Sequence, residues 1–216
     1  IKSIQLPSYL SKLETLEILF SIEMPLIRDL LNSIKNPNQI KGLVFRIKDF
    51  SFEYFLKHSN ELVLALKPFQ SLKSLHLHFL RYLKTLGFLE PLQNFPLEAL
   101  SLSLSVDKNE LKVLGNFLKK LNCPKILSLY LYTLRNSEGN ENLISLIKTL
   151  GSLSQLESLD FSQQNRGDQI IDQVIPTFNE SIINLPKLKG LKLYLASANF
   201  LTELPSLSNA LKKKLP

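Results

Sequence analysis

The sequence predicts an α/β solenoid of about seven strand–helix repeats, and two observations lead to this fold class. First, residues 97–105 alternate apolar and small polar side chains, which is the pattern of a strand with one buried and one solvated face. Second, the same pattern, led by an apolar residue three positions earlier, recurs along the whole chain. Recurrence at an interval of roughly 20 to 50 residues indicates units that stack on their neighbours rather than one central core.

Seven segments carry the spacing apolar-x-x-apolar-x-apolar, and the second apolar residue of each segment is its anchor. The anchors are Leu16, Leu43, Leu75, Leu100, Leu129, Leu159 and Leu191. Successive anchors lie 27, 32, 25, 29, 30 and 32 residues apart. One copy of so short a pattern has little specificity, but seven copies at nearly constant spacing indicate a repeat architecture.

In this spacing the chain resembles the leucine-rich-repeat family, in its longer ribonuclease-inhibitor-like form, over nearly its whole length. The resemblance implies a horseshoe with a parallel sheet on its concave face, formed by a single domain over residues 1–216. Residues 201–216 are then a degenerate C-terminal cap or tail. The family usually places Asn or Cys just after each strand, where the side chain bonds neighbouring backbone. That column here reads Ser21, Lys48, Leu80, Ser105, Leu134, Gln164 and Ala196, so the turns must be held by other contacts.

Length and composition fit one folded domain. The chain has 216 residues, of which 44% are hydrophobic and 21% are charged, as in ordinary folded proteins. It starts at Ile1, almost directly on a strand, so we expect it to be a portion of a longer chain. No apolar run reaches the roughly 18 to 20 residues that a membrane span needs, and we expect no such span.

A single cysteine, Cys123, rules out an internal disulfide. Extracellular members of the resembled family typically carry Cys-rich caps, and the sequence has none. We therefore expect an intracellular protein, cytoplasmic or nuclear, rather than a secreted one. Cys123 stands just before a predicted strand, where a small apolar residue fits; a reactive thiol is the alternative.

Helices are predicted between the strands wherever apolar residues recur at helical spacing. The first covers residues 25–34, with Pro25 in its first turn. Another is predicted from Arg81 to about Gln93, with three leucines facing inward. The clearest apolar stripe consists of Leu111, Leu114, Phe117, Leu118 and Leu121.

Turn residues and prolines predict the irregular segments. Polar loops are expected at residues 135–140 and 163–168, and Pro176 is expected to kink or restart the helix that contains it. The second repeat also holds an aromatic cluster, which is either additional core beneath a longer helix or a patch for a neighbouring subunit. The cluster comprises Phe50, Phe52, Tyr54 and Phe55.

Signatures of catalysis are missing from the sequence. The glycines do not cluster into a phosphate-binding loop, and no C-x-x-C, H-E-x-x-H or G-x-S-x-G motif occurs. Of the three histidines, His58, His76 and His78, the last two share one strand face about 7 Å apart. A metal site needs at least a third ligand, and the neighbouring repeats offer none on that face. We therefore predict no enzymatic activity, no cofactor and no metal.

The solvated side of the strands, which is the concave face in the resembled family, is the predicted binding surface. Its two central columns read, repeat by repeat, Glu17/Leu19, Val44/Arg46, His76/His78, Ser101/Ser103, Tyr130/Tyr132, Asp160/Ser162 and Lys192/Tyr194. Small pairs thus form low floors between bulky pairs, and exposed Tyr, His and Arg are typical interface anchors. The predicted partner contacts are Arg46, His76, His78, Tyr130, Tyr132, Asp160, Lys192 and Tyr194. The alternative is that tyrosine is simply a favoured strand residue.

We therefore predict a non-catalytic scaffold that binds a partner protein on its concave face, within a larger intracellular assembly. A second hypothesis concerns the C-terminal end, because residues 187–216 hold six lysines and one acidic residue. Such a charge favours nucleic acid or a ribonucleoprotein, although the interleaved aromatics of single-strand binders are missing there. A third hypothesis is a regulatory or substrate-recognition module of a larger enzyme complex.

Overall fold

The computed structural model describes residues 14–20, 24–47, 61–121, 124–133, 141–165 and 171–195. In these residues seven strands form one open parallel sheet, and the strands lie side by side in the order of the sequence. The strands are β1 Thr15–Phe20, β2 Gly42–Ile47, β3 Ser74–Leu83, β4 Ala99–Val106, β5 Ile126–Thr133, β6 Ser158–Asn165 and β7 Gly190–Leu195. The fold class is thus α/β with a parallel sheet, as predicted.

Helices connect the strands and pack against one face of the sheet. They are α1 Met24–Asn32, α2 over residues 61–66, α3 Lys108–Lys120, α4 Glu141–Gly151 and α5 Ile171–Ile183, with 3-10 helices at Pro37–Gln39 and Gly87–Asn94. Helix α4 packs between α3 and α5. Each connection therefore returns the chain to the start of the next parallel strand, as parallel pairing requires.

The core lies between the sheet and the helices, because alternate residues of each strand point towards the helices. Phe45, Leu77 and Leu102 are fully buried on this side of the sheet. They belong to one apolar cluster with helix residues such as Leu114 and Leu146. The stripe predicted on α3 is buried along its whole length. Each such side chain stabilises the fold by about 1.5 to 3 kcal/mol.

The pairing of β5 with its neighbours corrects the predicted frame of the fifth repeat. Leu127 lies opposite Leu100 and Leu159, whereas Leu129 lies opposite Leu102. The anchor of this repeat is therefore Leu127 and not Leu129. Leucines occupy positions 127, 129 and 131, and a shift of two residues leaves the same face of the strand buried. Alternation alone therefore does not fix the frame of this strand.

The helix predicted from Arg81 to Gln93 is wrong in its first part. Strand β3 continues to Leu83, which is buried as a strand residue, and the segment Gly87–Asn94 forms a 3-10 helix. The register of β3 with β4 shifts between His78 and Tyr82, so a bulge carries the strand onwards. Pro91 lies inside the 3-10 helix and lacks the N–H group that a regular α-helix would use there.

Two other segments differ from the predictions. Strand β6 runs through Asn165, so Gln163 is a buried strand residue between Leu131 and Leu195 instead of the start of a loop. Pairing with strands on both sides extends β6 into a polar stretch that local sequence predicts as a loop. Helix α5 continues through Pro176 as one helix, with that proline on its exposed side. Residues 135–140, the aromatic cluster, Cys123 and residues 201–216 lie outside the described residues.

Side-chain hydrogen bonds hold the turn after β3, where the family's Asn column is missing. The Asp107 carboxylate caps α3 and accepts hydrogen bonds from the backbone N–H groups of Asn109 and Glu110, at 2.9 and 3.2 Å. The same carboxylate accepts a bond from the Tyr82 hydroxyl at 3.1 Å. The Glu110 carboxylate in turn accepts a bond from the Leu86 N–H at 2.6 Å. Strand, turn and helix are thereby joined at one end of the sheet.

Replacing Asp107 by alanine is expected to lower the free energy of unfolding by about 1 to 2 kcal/mol, because the helix cap and the Tyr82 bond are lost together. The Asp107→Asn variant keeps an oxygen that accepts from the helix N-terminus, so we expect it to lose less than half as much. Thermal unfolding followed by circular dichroism measures both changes. An alanine variant with the wild-type Tm would contradict the capping role of Asp107.

Candidate functional site

The sheet face opposite the helices, hereafter the outward face, carries the predicted binding residues in straight rows. Because the strands pair in register, their side chains line up across the sheet, about 4.8 Å from one strand to the next. The first outward row runs Glu17, Val44, His76, Ser101, Ser128, Asp160 and Lys192. The second outward row runs Leu19, Arg46, His78, Ser103, Tyr130, Ser162 and Tyr194.

The corrected frame of β5 moves its two tyrosines by one row. The sequence placed Tyr130 beside Ser101, whereas the register places it beside Ser103. Tyr132 lies beside Ser105, and the neighbour of Ser101 is another serine. A short third outward row therefore consists of Tyr82, Ser105, Tyr132 and Gln164. The predicted residues share one face of the sheet, but the tyrosines stand one row later than predicted.

Strand β4 presents only serines on the outward face, and these form the serine trough, Ser101, Ser103 and Ser105. Larger side chains stand on both sides: His76, His78 and Tyr82 on β3, and Tyr130 and Tyr132 on β5. Ser103 is only 4% exposed, because His78 and Tyr130 flank it. Ser162 is 8% exposed between Tyr130 and Tyr194. These low exposures agree with the predicted alternation of small and bulky residues.

A hydrogen bond fixes one of the tyrosines of the trough wall. The Tyr130 hydroxyl donates to Asp160 Oδ2 at 2.6 Å, across from the second outward row to the first. This bond, together with partial burial and the carboxylate charge, raises the pKa of Tyr130 to about 12. Tyr130 is therefore a neutral donor at any physiological pH, and its ring is held in one orientation. The sequence predicted both residues at the site but not the bond between them.

Beside the trough, cationic and imidazole groups gather on β2 and β3. Arg46 Nε lies 2.7 Å from Glu17 Oε1, in an exposed ion pair. Burial, and next the Arg46 charge, lowers the pKa of both His76 and His78 below the ordinary histidine value. Both imidazoles are therefore mainly uncharged at neutral pH, and each offers one hydrogen-bond donor and one acceptor.

The most accessible members of the predicted set lie towards β7. Tyr132 is 42% exposed and Tyr194 is 58% exposed, and Lys192 is exposed beside them. Phenol rings with this exposure bury a large area on contact with a partner at a small entropic cost. The outward face therefore offers fixed side chains at the trough and accessible ones beyond it.

A further row, missed by the sequence predictions, consists of charged residues just before each strand. This charged row runs Glu14, Lys41, Lys73, Glu98, Lys125, Glu157 and Lys189. The backbone carbonyl of each of the first six accepts two N–H groups from the start of the next repeat. The chain therefore enters every strand in the same way, and the side chains of the row stand next to one another.

Neighbouring members of the charged row form ion pairs. Glu98 lies 2.6 Å from Lys73 and 3.3 Å from Lys125, and hydrogen bonds from these two lysines lower the pKa of its carboxyl. At the ends of the row, Lys41 lies 2.5 Å from Glu14, and Lys189 lies 2.8 Å from Glu157. Exposed pairs of this kind contribute little stability each.

The sequence does contain a signal for this row, because a charge stands two residues before every anchor. The signal becomes complete only when Leu127 replaces Leu129 as the fifth anchor, since Lys125 then takes its place in the row. The charged position would therefore have fixed the frame that the apolar alternation left open.

The described residues contain no group of three His, Cys, Asp or Glu side chains that could hold a metal ion. The neighbours of His76 in its row are Val44 and Ser101, and neither supplies an imidazole or carboxylate ligand. His58 and Cys123 lie outside the described part of the chain. None of the described helices has the length and apolar character that crossing a membrane would need.

Comparison with known proteins assigns this chain to no family. No protein-family model matches it, and no curated protein matches its sequence. Among solved structures the chain is similar to an internalin from Listeria monocytogenes str. 4b F2365, at 18% sequence identity, with 85% of this chain and 68% of that chain covered. The TM-score is 0.29, and a likeness at this level carries no argument about function.

Proposed function

We propose that this chain is a non-catalytic protein-interaction module with a leucine-rich-repeat solenoid fold, in which the outward face is the concave surface of a horseshoe. The observation that carries the proposal is the serine trough with its histidine and tyrosine walls. A hollow with hydroxyl groups on its floor and rings at its sides suits a segment of a partner protein. As part of the same proposal, the module acts within a larger intracellular assembly.

Preorganisation of the trough supports binding as its role. Tyr130 is held by its bond to Asp160, so its ring loses little freedom when a partner packs against it. The serine hydroxyls both donate and accept hydrogen bonds, and so does each neutral imidazole, which suits the peptide groups of a partner backbone. The proposed contact residues are Arg46, His76, His78, Tyr130, Tyr132, Asp160, Lys192 and Tyr194.

The distribution of charge supports a protein partner over nucleic acid for this face. Lys73, Lys125 and Lys189 lie within ion-pair distance of carboxylates, and Arg46 lies beside Glu17. These pairs reduce the positive potential that would attract a phosphate backbone. The rows of the outward face instead combine aromatic, hydroxyl and mixed charged groups, as protein interfaces do.

Filling the trough tests the proposal. The Ser101→Arg variant places a long charged side chain on the trough floor, and the Ser145→Arg variant places the same side chain on the exposed side of α4. Affinity capture from a nuclease-treated lysate of the source cells, quantified by mass spectrometry, compares both with wild type. We expect Ser101→Arg, and separately the Tyr130→Ala/Tyr132→Ala double variant, to reduce the main captured protein about tenfold or more, which corresponds to about 1.4 kcal/mol.

The control variant Ser145→Arg should capture the same protein at the wild-type level. Equal capture by all variants would place the interface elsewhere on the molecule and reject the proposal. Capture that nuclease treatment or 500 mM salt abolishes in wild type would favour the nucleic-acid hypothesis, because phosphate contacts weaken steeply with salt.

A further inference from the structure

The two outer strands of the described sheet end its rows with opposite charges. Strands β1 and β7 each have one described neighbour, and each is six residues long. The charged row ends in Glu14 at β1 and in Lys189 at β7. The first outward row ends in Glu17 at β1 and in Lys192 at β7. The β1 edge is thus acidic in two rows, and the β7 edge is basic in the same two rows.

We propose that the β7 edge of one molecule binds the β1 edge of a second copy of this chain, so that the parallel sheet continues from one copy into the next. This contact is independent of the partner proposed for the serine trough. Extending the register of the sheet by one strand places Gly190 beside Thr15 of the second copy, Lys192 beside Glu17 and Tyr194 beside Leu19. A strand edge readily accepts a further strand, because its peptide groups pair with those of the newcomer.

The interior of the charged row shows what such a contact would add. Glu98 takes a lysine from the strand on each side, Lys73 and Lys125. Among the described residues, Glu14 pairs only with Lys41, and Lys189 pairs only with Glu157. In the assembled pair, Lys189 of one copy meets Glu14 of the next, so both terminal charges gain the second neighbour that Glu98 has. Lys192, which forms no ion pair with a described residue, meets Glu17.

Apolar side chains at the two edges match as well. Leu19 is 59% exposed and Tyr194 is 58% exposed, and they stand at opposite ends of the second outward row. On the core side, Leu191 and Leu193 of β7 are only partly buried, whereas the leucines of β4 and β5 on that side are fully buried. A strand added at β7 would cover these residues, and burial of apolar area favours association.

The backbone of the first residue pair also fits. Inside the molecule, Thr15 lies beside Gly42, where a Cβ would approach the Thr15 hydroxyl oxygen to 3.1 Å. In the proposed contact the other side of Thr15 meets Gly190, which likewise has no Cβ. The threonine therefore has room on both sides. The contact joins two different edges, so it is not closed by a two-fold axis and allows more than two copies to associate.

Charge exchange at the two edges tests the proposal. Sedimentation velocity over about 5 to 500 µM protein, at low and high salt, measures the association of wild type, of Lys189→Glu/Lys192→Glu and of Glu14→Lys/Glu17→Lys. We expect wild type to associate with rising concentration, and more weakly at high salt. Each double variant should remain monomeric, because it presents like charges on both edges. An equimolar mixture of the two should associate, since the acidic β7 edge of one variant then meets the basic β1 edge of the other.

The Lys112→Glu/Lys148→Glu variant changes two exposed lysines on α3 and α4 and should associate as wild type does. The single variant Lys192→Glu removes no described ion pair, so it should fold normally and associate at least fivefold more weakly. Circular dichroism verifies that each variant is folded. A wild type that stays monomeric throughout the concentration range overturns the proposal, as does undiminished association of Lys192→Glu. Folded double variants whose mixture stays monomeric also overturn it.

Discussion

The Leu102→Asp variant is expected to be unfolded at 25 °C. Leu102 is fully buried on β4, the middle strand of the seven, between Leu77 and Leu129. A carboxylate at this point loses its hydration without gaining a cationic partner, which costs several kcal/mol. The leucine side chain also loses a burial term of about 1.5 to 3 kcal/mol. Since domains are stable by about 5 to 15 kcal/mol, we expect the cooperative thermal transition seen by circular dichroism to disappear.

A matched control stands one residue earlier on the same strand. Ser101 is half-buried and points to the outward face, so Ser101→Asp leaves the new carboxylate in contact with water. We expect this variant to keep its cooperative transition, with a Tm within a few degrees of wild type, as for most surface substitutions. If Leu102→Asp melted like wild type while Ser101→Asp unfolded, the two faces of β4 would be assigned the wrong way round.

The Gly151→Ala variant is expected to lose about 1 to 3 kcal/mol of stability, because the α4–α5 contact has no room for a methyl group. A Cβ at this position would lie 2.8 Å from both Cα and Cβ of Ser181. Ser181 is itself buried, and its Cα belongs to the backbone of α5, so a change of rotamer does not relieve the contact. The helices must move apart. Differential scanning calorimetry should show a Tm lower by about 2 to 12 °C.

Gly115 on α3 provides the control, because it is also a helix glycine that faces the next helix. There a Cβ would make ordinary contacts, at 3.5 Å from Thr149 Oγ1 and 3.9 Å from Leu146 Cα. Alanine is favoured over glycine inside a helix by about 1 kcal/mol, so Gly115→Ala should be neutral or more stable than wild type. Equal changes in both variants would mean that backbone flexibility, and not the space between helices, decides the outcome at Gly151.

The parts of the fold predicted correctly from the sequence are those with a strong period. The alternation in β4 and the stripe on α3 each place apolar residues on one face, and those residues are buried in the structure. Parallel pairing of the strands in sequence order follows once each strand is separated from the next by a helix-length connection. The outward-facing residues follow from the same alternation, so every predicted contact residue lies on one side of the sheet.

The details that local sequence did not determine depend on neighbouring strands. A two-residue shift of β5 leaves its leucines buried, so only pairing with β4 distinguishes Leu127 from Leu129 as the anchor. Gln163 has the composition of a loop, but β5 and β7 pair with β6 and extend it. The Tyr130–Asp160 bond joins residues thirty positions apart. Its prediction needs both the frame of β5 and the register with β6.

The sequential order of the strands has a consequence for the synthesis of the protein. Each described strand lies beside the strand that precedes it in the chain, so its pairing partner has already left the ribosome when it emerges. At roughly 5 to 20 residues per second, a unit of about 30 residues follows its predecessor within about 1.5 to 6 s. No described strand has to wait for a segment from the far end of the chain, and each closure spans only a short loop. The sheet is therefore arranged to grow during translation, one strand at a time, from its acidic edge towards its basic edge.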